Sequence, residues 1–409
     1  MKRNSSFSSS FDITHNIHSI TSPYYYSWQK YFGKVFIYWL GTESFLYIVD
    51  PGFLKIMSSK VLAKKWGKPS VFRKDREPMV GNGLVMAEGT AWVHHRHVIA
   101  PTFTPLNLKT MASMMVYSTR KMIKRWDTQI NSGNLEIDVE NEIVATAGEI
   151  IAKASFGMGG ENGKLVFNQL RTLQMILFKT NEYVGVPFEK LFNLKKTLEA
   201  KKIGEEELLD ECKTFFFGGY ETTSLSITWT LLLLALHQDW KNQLRDEIKQ
   251  VIGNVEELDI NLLANLKKMK WVMSEALRLY PPSPNVQRQT MEDIQVNNLK
   301  VPKGTNIWID VVAMHHDVTI WGINANKFKL ERFMNDVNGK SNNKMGYLPF
   351  GFGGRACVGR NLTFMEYKIV LTLLLSKFNF KISPSYHYSP TIMLSLRPNH
   401  GLPLIVRPF

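Results

Sequence analysis

One of the chain's two cysteines, Cys357, lies in the run Phe350-Gly-Phe-Gly-Gly-Arg-Ala-Cys-Val-Gly359. An amphipathic stretch from Arg360 to Phe378 follows directly and predicts a helix. The four glycines let backbone approach a flat ligand at points where any Cβ would collide. The start of a helix places partial positive charge beside the sulfur and favours thiolate over thiol. Those features suit a thiolate that ligates a metal from one side. A lone cysteine in a turn is more simply a small buried side chain, and it is the surrounding glycines and Arg355 that set Cys357 apart.

Three more constellations carry polar chemistry. Gly218-Gly219-Tyr-Glu221-Thr222-Thr223 interrupts a helix-like run from about Glu205 to His237. Two glycines and two threonines are poor interior helix residues, so the spacing predicts either a tolerated weak spot or a helix opened locally to bind water. Glu275-Ala-Leu-Arg278 places acid and base on one helix face, and Pro281-Pro282 ends that helix. Trp92-Val-His-His-Arg96 is an i,i+4 pair of the same kind. His94, His95 and His97 read as a basic helix face, since histidines without carboxylate or cysteine partners are weak metal ligands.

Taken in order, these segments resemble the cytochrome P-450 superfamily. The run around Cys357 matches F-G-x-G-x-R-x-C-x-G, whose cysteine is the axial thiolate of haem. The resemblance implies that Glu221 and Thr222 are catalytic, relaying protons and activating oxygen, and that Phe350 belongs to the haem-binding loop. It implies that Trp92, Arg96, Arg288 and Arg355 hold the haem propionates, because buried carboxylates need cations. It also joins Glu275 and Arg278 to Arg332, in Phe328-Lys-Leu-Glu-Arg332-Phe, as a structural network. Leu330 stands where the family carries proline, which predicts a looser loop. Leu209 to Phe217, Asn361 to Lys368 and Ala100-Pro-Thr-Phe103 are similar to a plant clan whose members hydroxylate gibberellins, cytokinins, fatty acids and terpenoids.

The elements that must position these residues follow from periodicity. Helix-like stretches dominate from Thr102 to Trp271 and again after Cys357. Val35 to Leu40 and Phe45 to Val49 predict a hairpin around Gly41-Thr42. Ile294 to Val296 and Ile307 to Val312 predict another around Pro302-Lys-Gly304, and Ser383 to Val406 holds further short strands. These patterns predict a mostly α fold with a small β-rich part (α+β) in a single large domain, and the resemblance implies that it is the cytochrome P-450 fold. The resemblance implies a Ser-rich tail over 1–23 and a haem-thiolate monooxygenase domain over 24–409. Two cysteines, Cys212 and Cys357, exclude a disulfide framework and a paired-cysteine zinc site. The net charge is +14, yet there is no concentrated basic block, so an anionic membrane surface and an acidic electron-transfer partner fit better than nucleic acid. No run of eighteen apolar residues is present to span a bilayer.

The resemblance thus implies a haem b monooxygenase that hydroxylates a small, largely apolar substrate. It would draw on dioxygen and on NADPH through a flavoprotein reductase, at the cytosolic face of the endoplasmic reticulum membrane. Relatives begin with a membrane anchor and Pro-rich hinge, and this chain is expected to start after both. Leu198-Glu-Ala-Lys-Lys-Ile-Gly204 runs almost straight into Glu205, so a lid segment is expected to be missing near 198–205. Two alternatives accompany this reading. One is a truncated, catalytically impaired family member; the other is a haem-thiolate isomerase or dehydratase, although such relatives lack the acid–threonine pair retained here.

Overall fold

A computed structural model describes residues 13–59, 65–156, 169, 171–172, 206–334 and 344–409. Its helices are α1 (His18–Thr21), α2 (Pro23–Phe32), α3 (Pro51–Met57), α4 (Arg73–Val80), α5 (Gly89–Ile99), α6 (Pro105–Asn131) and α7 (Val139–Phe156). They continue with α8 (Glu206–Leu236), α9 (Gln238–Val251), α10 (Lys267–Leu279), α11 (Val311–His316), α12 (Val318–Trp321) and α13 (Arg360–Lys377). The long helices expected over 205–237 and 360–378 are therefore present within a residue at each end. The expected shortening near 198–205 lies outside the described residues.

Helix α8 is the axis of the core. Leu231, Leu232, Leu233 and Leu234 are all buried, as befits a helix wrapped by protein on every side. Its serines and threonines can be buried too, because their hydroxyls return to carbonyls one turn back. Thr222, Ser226, Thr228 and Thr230 donate to the oxygens of Gly218, Thr222, Ser224 and Ser226 at 2.7–2.9 Å. The opening considered for Gly218 to Thr223 does not occur, and α8 is unbroken through it. Tertiary packing outweighs the poor helix propensity there. A Cβ on Gly219 would sit 2.7 Å from Ile151 Cδ1, so this glycine is what lets α7 lie so close. Gly218 beside it faces open space.

A five-stranded sheet runs β1 (Val35–Leu40), β2 (Glu43–Ile48), β8 (Asn306–Asp310), β5 (Asn285–Thr290), β3 (Trp66–Gly67) in spatial order. The first expected hairpin is present, with Gly41 at φ +59° in its turn. The second is corrected. Strand β6 (Ile294–Val296) pairs with β7 (Leu299–Val301), turning at Asn297 (φ 51°). Strand β8 instead joins the main sheet, parallel to β2 and antiparallel to β5. The C-terminal strands β9 (Phe378–Ile382) and β12 (Pro403–Pro408) form a sheet with β4 (Glu136–Asp138), while β10 (Pro390–Ile392) and β11 (Leu396–Pro398) make a separate hairpin. Packing also begins ahead of the Tyr24 boundary. Ile17 is fully buried, His15 Nδ1 lies 2.6 Å from the Tyr280 hydroxyl, and His18 lies 3.3 Å from Asp310.

Candidate functional site: a cysteine loop facing an acid–threonine helix

The loop around Cys357 rests on a buried ionic cluster. Glu275 accepts from Arg278 Nε and Nη2 at 2.7 Å, and both side chains have no exposed surface. Arg278 also donates to the carbonyls of His315 and Ala325, at 2.8 and 2.7 Å. Arg332 Nε lies 3.6 Å from Glu275, and its outer nitrogens donate to the Trp321 and Asn324 carbonyls. The looser loop expected at Leu330 is not seen. Leu330 is fully buried in a 3-10 turn, and the adjacent Lys329 N–H donates to Glu275 at 3.0 Å. Buried apolar surface there replaces the fixed backbone of a proline.

His315 links this cluster to the cysteine loop. The Leu348 N–H donates to its Nε2 at 2.9 Å, which leaves Nδ1 to carry the proton and donate to the Arg278 carbonyl at 3.1 Å. Burial, reinforced by Arg278, pushes this imidazole well below its ordinary value, so it serves as a neutral bridge. Nothing in the local sequence around His315 signals that role.

Within the loop, the Cys357 N–H donates to the Phe350 carbonyl at 2.8 Å. Gly351 and Gly353 take φ values of +68° and +65°, which favour glycine. Gly359 precedes α13, and the N–H groups of Gly359 and Arg360 point their dipoles at the sulfur. The accessible surface of Cys357 faces a cavity, while protein atoms surround the rest of it. That desolvation is the largest influence and pushes the thiol up, against the lowering by those N–H groups, Arg96 and Arg360.

The cavity has a volume of about 410 Å³. Trp92, Arg96, Arg288, Phe350, Arg355, Cys357, Glu221 and Thr222 all line it, so the eight residues singled out for cofactor and catalysis are brought together. Glu275, Arg278 and Arg332 are not among its walls. Arg355 donates to Glu88 at 2.6 Å and to the Ala87 carbonyl, and stacks 4.8 Å from the Trp92 ring. Arg96 donates to the Ala356 carbonyl at 2.9 Å. Arg288 donates to the Gln287 carbonyl, and burial followed by the nearby Arg355 pushes it down to about 10.

Sequence reasoning missed Lys68, Arg76 and Glu88, charges whose local sequence matches no motif. Lys68 and Arg76 line the same cavity, and burial, then Arg288 and Arg76, pushes the Lys68 amine well below its ordinary value. The histidine reading is corrected as well. His94 and His97 are exposed, whereas His95 is buried and meets Glu211 of α8 at 2.5 Å. No group of three metal-ligating side chains occurs among the described residues. On α8, Thr222 donates to Gly218 as above, and the buried Glu221 carboxylate accepts from Ser395, a second residue that sequence did not single out.

A glycine-rich cysteine loop, a surplus of cations and an acid–threonine pair thus surround one cavity. The chain belongs to the cytochrome P450 family: the family profile of that description matches residues 9–189 and 186–401. It is a monooxygenase-type oxidoreductase, and the cofactor of the family is haem. Among its relatives, "Cytochrome P450 714C2" of Oryza sativa subsp. japonica is 33% identical, over 94% of this chain and 82% of that protein. A "Cytokinin hydroxylase" of Arabidopsis thaliana is 34% identical, over 97% and 85%. "Cytochrome P450 734A1" of Arabidopsis thaliana is 30% identical, over 97% and 84%.

Proposed function

We propose that this chain is a haem-thiolate monooxygenase that hydroxylates a small, largely apolar substrate. NADPH would supply the electrons through a flavoprotein reductase: RH + O2 + NADPH + H⁺ gives ROH + H2O + NADP⁺. The carrying observation is that Cys357, a group of cations, Glu221 and Thr222 line one cavity. The residues suit haem b. Five cations (Lys68, Arg76, Arg96, Arg288 and Arg355) line it against a single lining acid, Glu221, while Glu88 behind the wall holds Arg355; such an imbalance calls for anions of the size and charge of propionates. Gly218, facing open space, leaves room for a flat ring.

When bound, haem supplies the iron at which dioxygen is reduced, with a thiolate as electron-donating ligand. Cys357 would ligate the iron; Trp92, Arg96, Arg288 and Arg355 would hold the propionates, and Phe350 would wall the ring. Thr222, its own proton donated to the Gly218 carbonyl, would present its hydroxyl oxygen to the cavity as an acceptor that orients a proton-bearing water. Glu221 would take protons from solvent and pass them inward. Leu84, Val85, Phe103, Phe215 and Phe217 supply apolar walls that exclude water and suit an apolar substrate.

Exposed Tyr31, Phe32, Ile37 and Trp39 on α2 and β1 support contact with a membrane surface, in keeping with work at the endoplasmic reticulum. Among the described residues no helix is long and apolar enough to cross a bilayer. A shortened distal segment is supported by the family match falling into two stretches that meet at 186–189. It is supported too by an alignment of 458 residues with "Cytochrome P450 709B1" of Arabidopsis thaliana, which covers the whole of this 409-residue chain.

Two substitutions test the assignment. Cys357→His should replace the red-shifted Soret band of the reduced carbon monoxide complex with that of imidazole-ligated haem, while Cys212→Ser leaves it alone. An unshifted band in Cys357→His would remove Cys357 as ligand. Thr222→Ala should keep haem content yet divert electrons to hydrogen peroxide, slowing the proton-dependent step by about 10²–10⁴-fold. Unchanged peroxide yield would remove Thr222 from the proton path.

A further inference from the structure

The turn between β10 and β11 reaches into the catalytic cavity. Leu394 and Ser395 both line it, beside Glu221 and Thr222. The turn is tightly determined. The Met393 N–H donates to the Ser395 carbonyl at 3.1 Å, and Leu394 holds φ at 112°, a region L side chains rarely adopt. Immediately after the turn, β11 is bolted to the body. The Leu396 N–H donates to Pro282, its carbonyl accepts from Trp229 of α8 at 3.0 Å, and Arg397 donates to Glu140 of α7 at 2.9 Å. The Ser395 hydroxyl is thereby presented to Glu221 Oε1, and both residues are buried.

We propose that Ser395 is a positioning residue for Glu221, fixing its carboxylate in the orientation from which it serves Thr222. The inference rests on the proposed proton-relay role of Glu221. A carboxylate on a helix has several rotamers, and burial penalises any in which its oxygens lack donors. The hydroxyl supplies such a donor from a hairpin that cannot follow the side chain if it swings. Arg397 adds a favourable charge, since Glu140 and then Glu221 raise its guanidinium above the ordinary value. Because Leu394 and Ser395 are neighbours in one turn, the surface that meets substrate and the group that orients the acid move together.

The test uses the haem-loaded enzyme with NADPH and a flavoprotein reductase, without added substrate. Oxygen then leaves either as peroxide (O2 + 2e⁻ + 2H⁺ → H2O2) or as water (O2 + 4e⁻ + 4H⁺ → 2H2O), and proton delivery sets the partition. Ser395→Ala should raise peroxide per NADPH by about 3–10-fold, with Ser395→Thr, which keeps the hydroxyl, near the parent. Glu221→Gln is the control for the underlying reading and should raise it at least as much. A second readout is independent of turnover. In denaturant unfolding, Ser395→Ala and Glu221→Gln should be non-additive by about 3–10-fold in the unfolding constant. Parent-like peroxide yield in Ser395→Ala beside a raised yield in Glu221→Gln overturns the positioning role alone, as does strict additivity. Parent-like yield in both overturns the relay role of Glu221 and the inference with it.

Discussion

Glu275, Arg278, Arg332 and His315, which anchor the approach to Cys357, each meet two or more buried partners. The wall that α4 presents to the cavity leans on something simpler: a small apolar cluster of Met79, Val80 and Met86, with Phe217 and the side chain of Leu394 against it. The first region uses directional bonds between charged groups, and the second uses non-directional apolar contact. Ligand geometry must hold to a fraction of an ångström, whereas an apolar wall tolerates exchange of its parts. On the proposed assignment, the side that would bind the metal is built to resist change, and the side that would meet substrate is built to accept it.

Arg278→Ala should give the largest effect. It leaves the buried Glu275 with the Lys329 N–H and, as its one nearby cation, the more distant Arg332, and destabilisation of about 3–5 kcal/mol with loss of haem is expected in denaturant unfolding. A loss below about 1 kcal/mol would erase the contrast between the two regions.

Glu366→Gln on α13 probes the same rigid side through pH. Burial raises the Glu366 carboxyl from 4.5 to about 8, and its Oε1 finds no hydrogen-bond partner among the described residues. Above 4.5 the unfolded chain releases a proton that the folded protein keeps, so stability falls as pH rises toward 8. The amide should remove that slope and add ~3 kcal/mol at pH 7. Parallel pH–stability curves for the two proteins would refute it.

Leu394→Gly should do least to stability. Relief of the backbone at φ 112° offsets the lost contact of a half-buried leucine, and the net change should stay within ~1 kcal/mol. Products formed from a panel of apolar substrates should shift instead. A loss of several kcal/mol would mean that the substrate wall is as rigid as the metal side.

What could be read in advance follows the same division. The cysteine loop, the Glu275–Arg278 pair and the Trp92–Arg96 pair are close in sequence, so spacing alone exposes them. Helix ends at 206, 236 and 360 follow local periodicity. Strand Asn306–Asp310 was paired wrongly because its parallel partner, Glu43–Ile48, lies far away in the chain, and pattern carries no register across such a gap. Lys68, Glu88, His95 and Ser395 acquire meaning only through distant neighbours. Helix α8 defeated propensity, because serines and threonines that look like helix breakers close their own bonds one turn back.

Gly218 and Gly219 are adjacent and identical, yet mutation would treat them as opposites. At 219 a single added methyl collides with Ile151 at 2.7 Å, so drift there is closed unless α7 retreats or position 151 shrinks first. At 218 the same methyl meets nothing within 4 Å and projects into the reaction chamber. One glycine is thus frozen by the protein's own packing, while its neighbour is held only by whatever fills the chamber, so a change there would be felt by the ring or the substrate before it was felt by the fold.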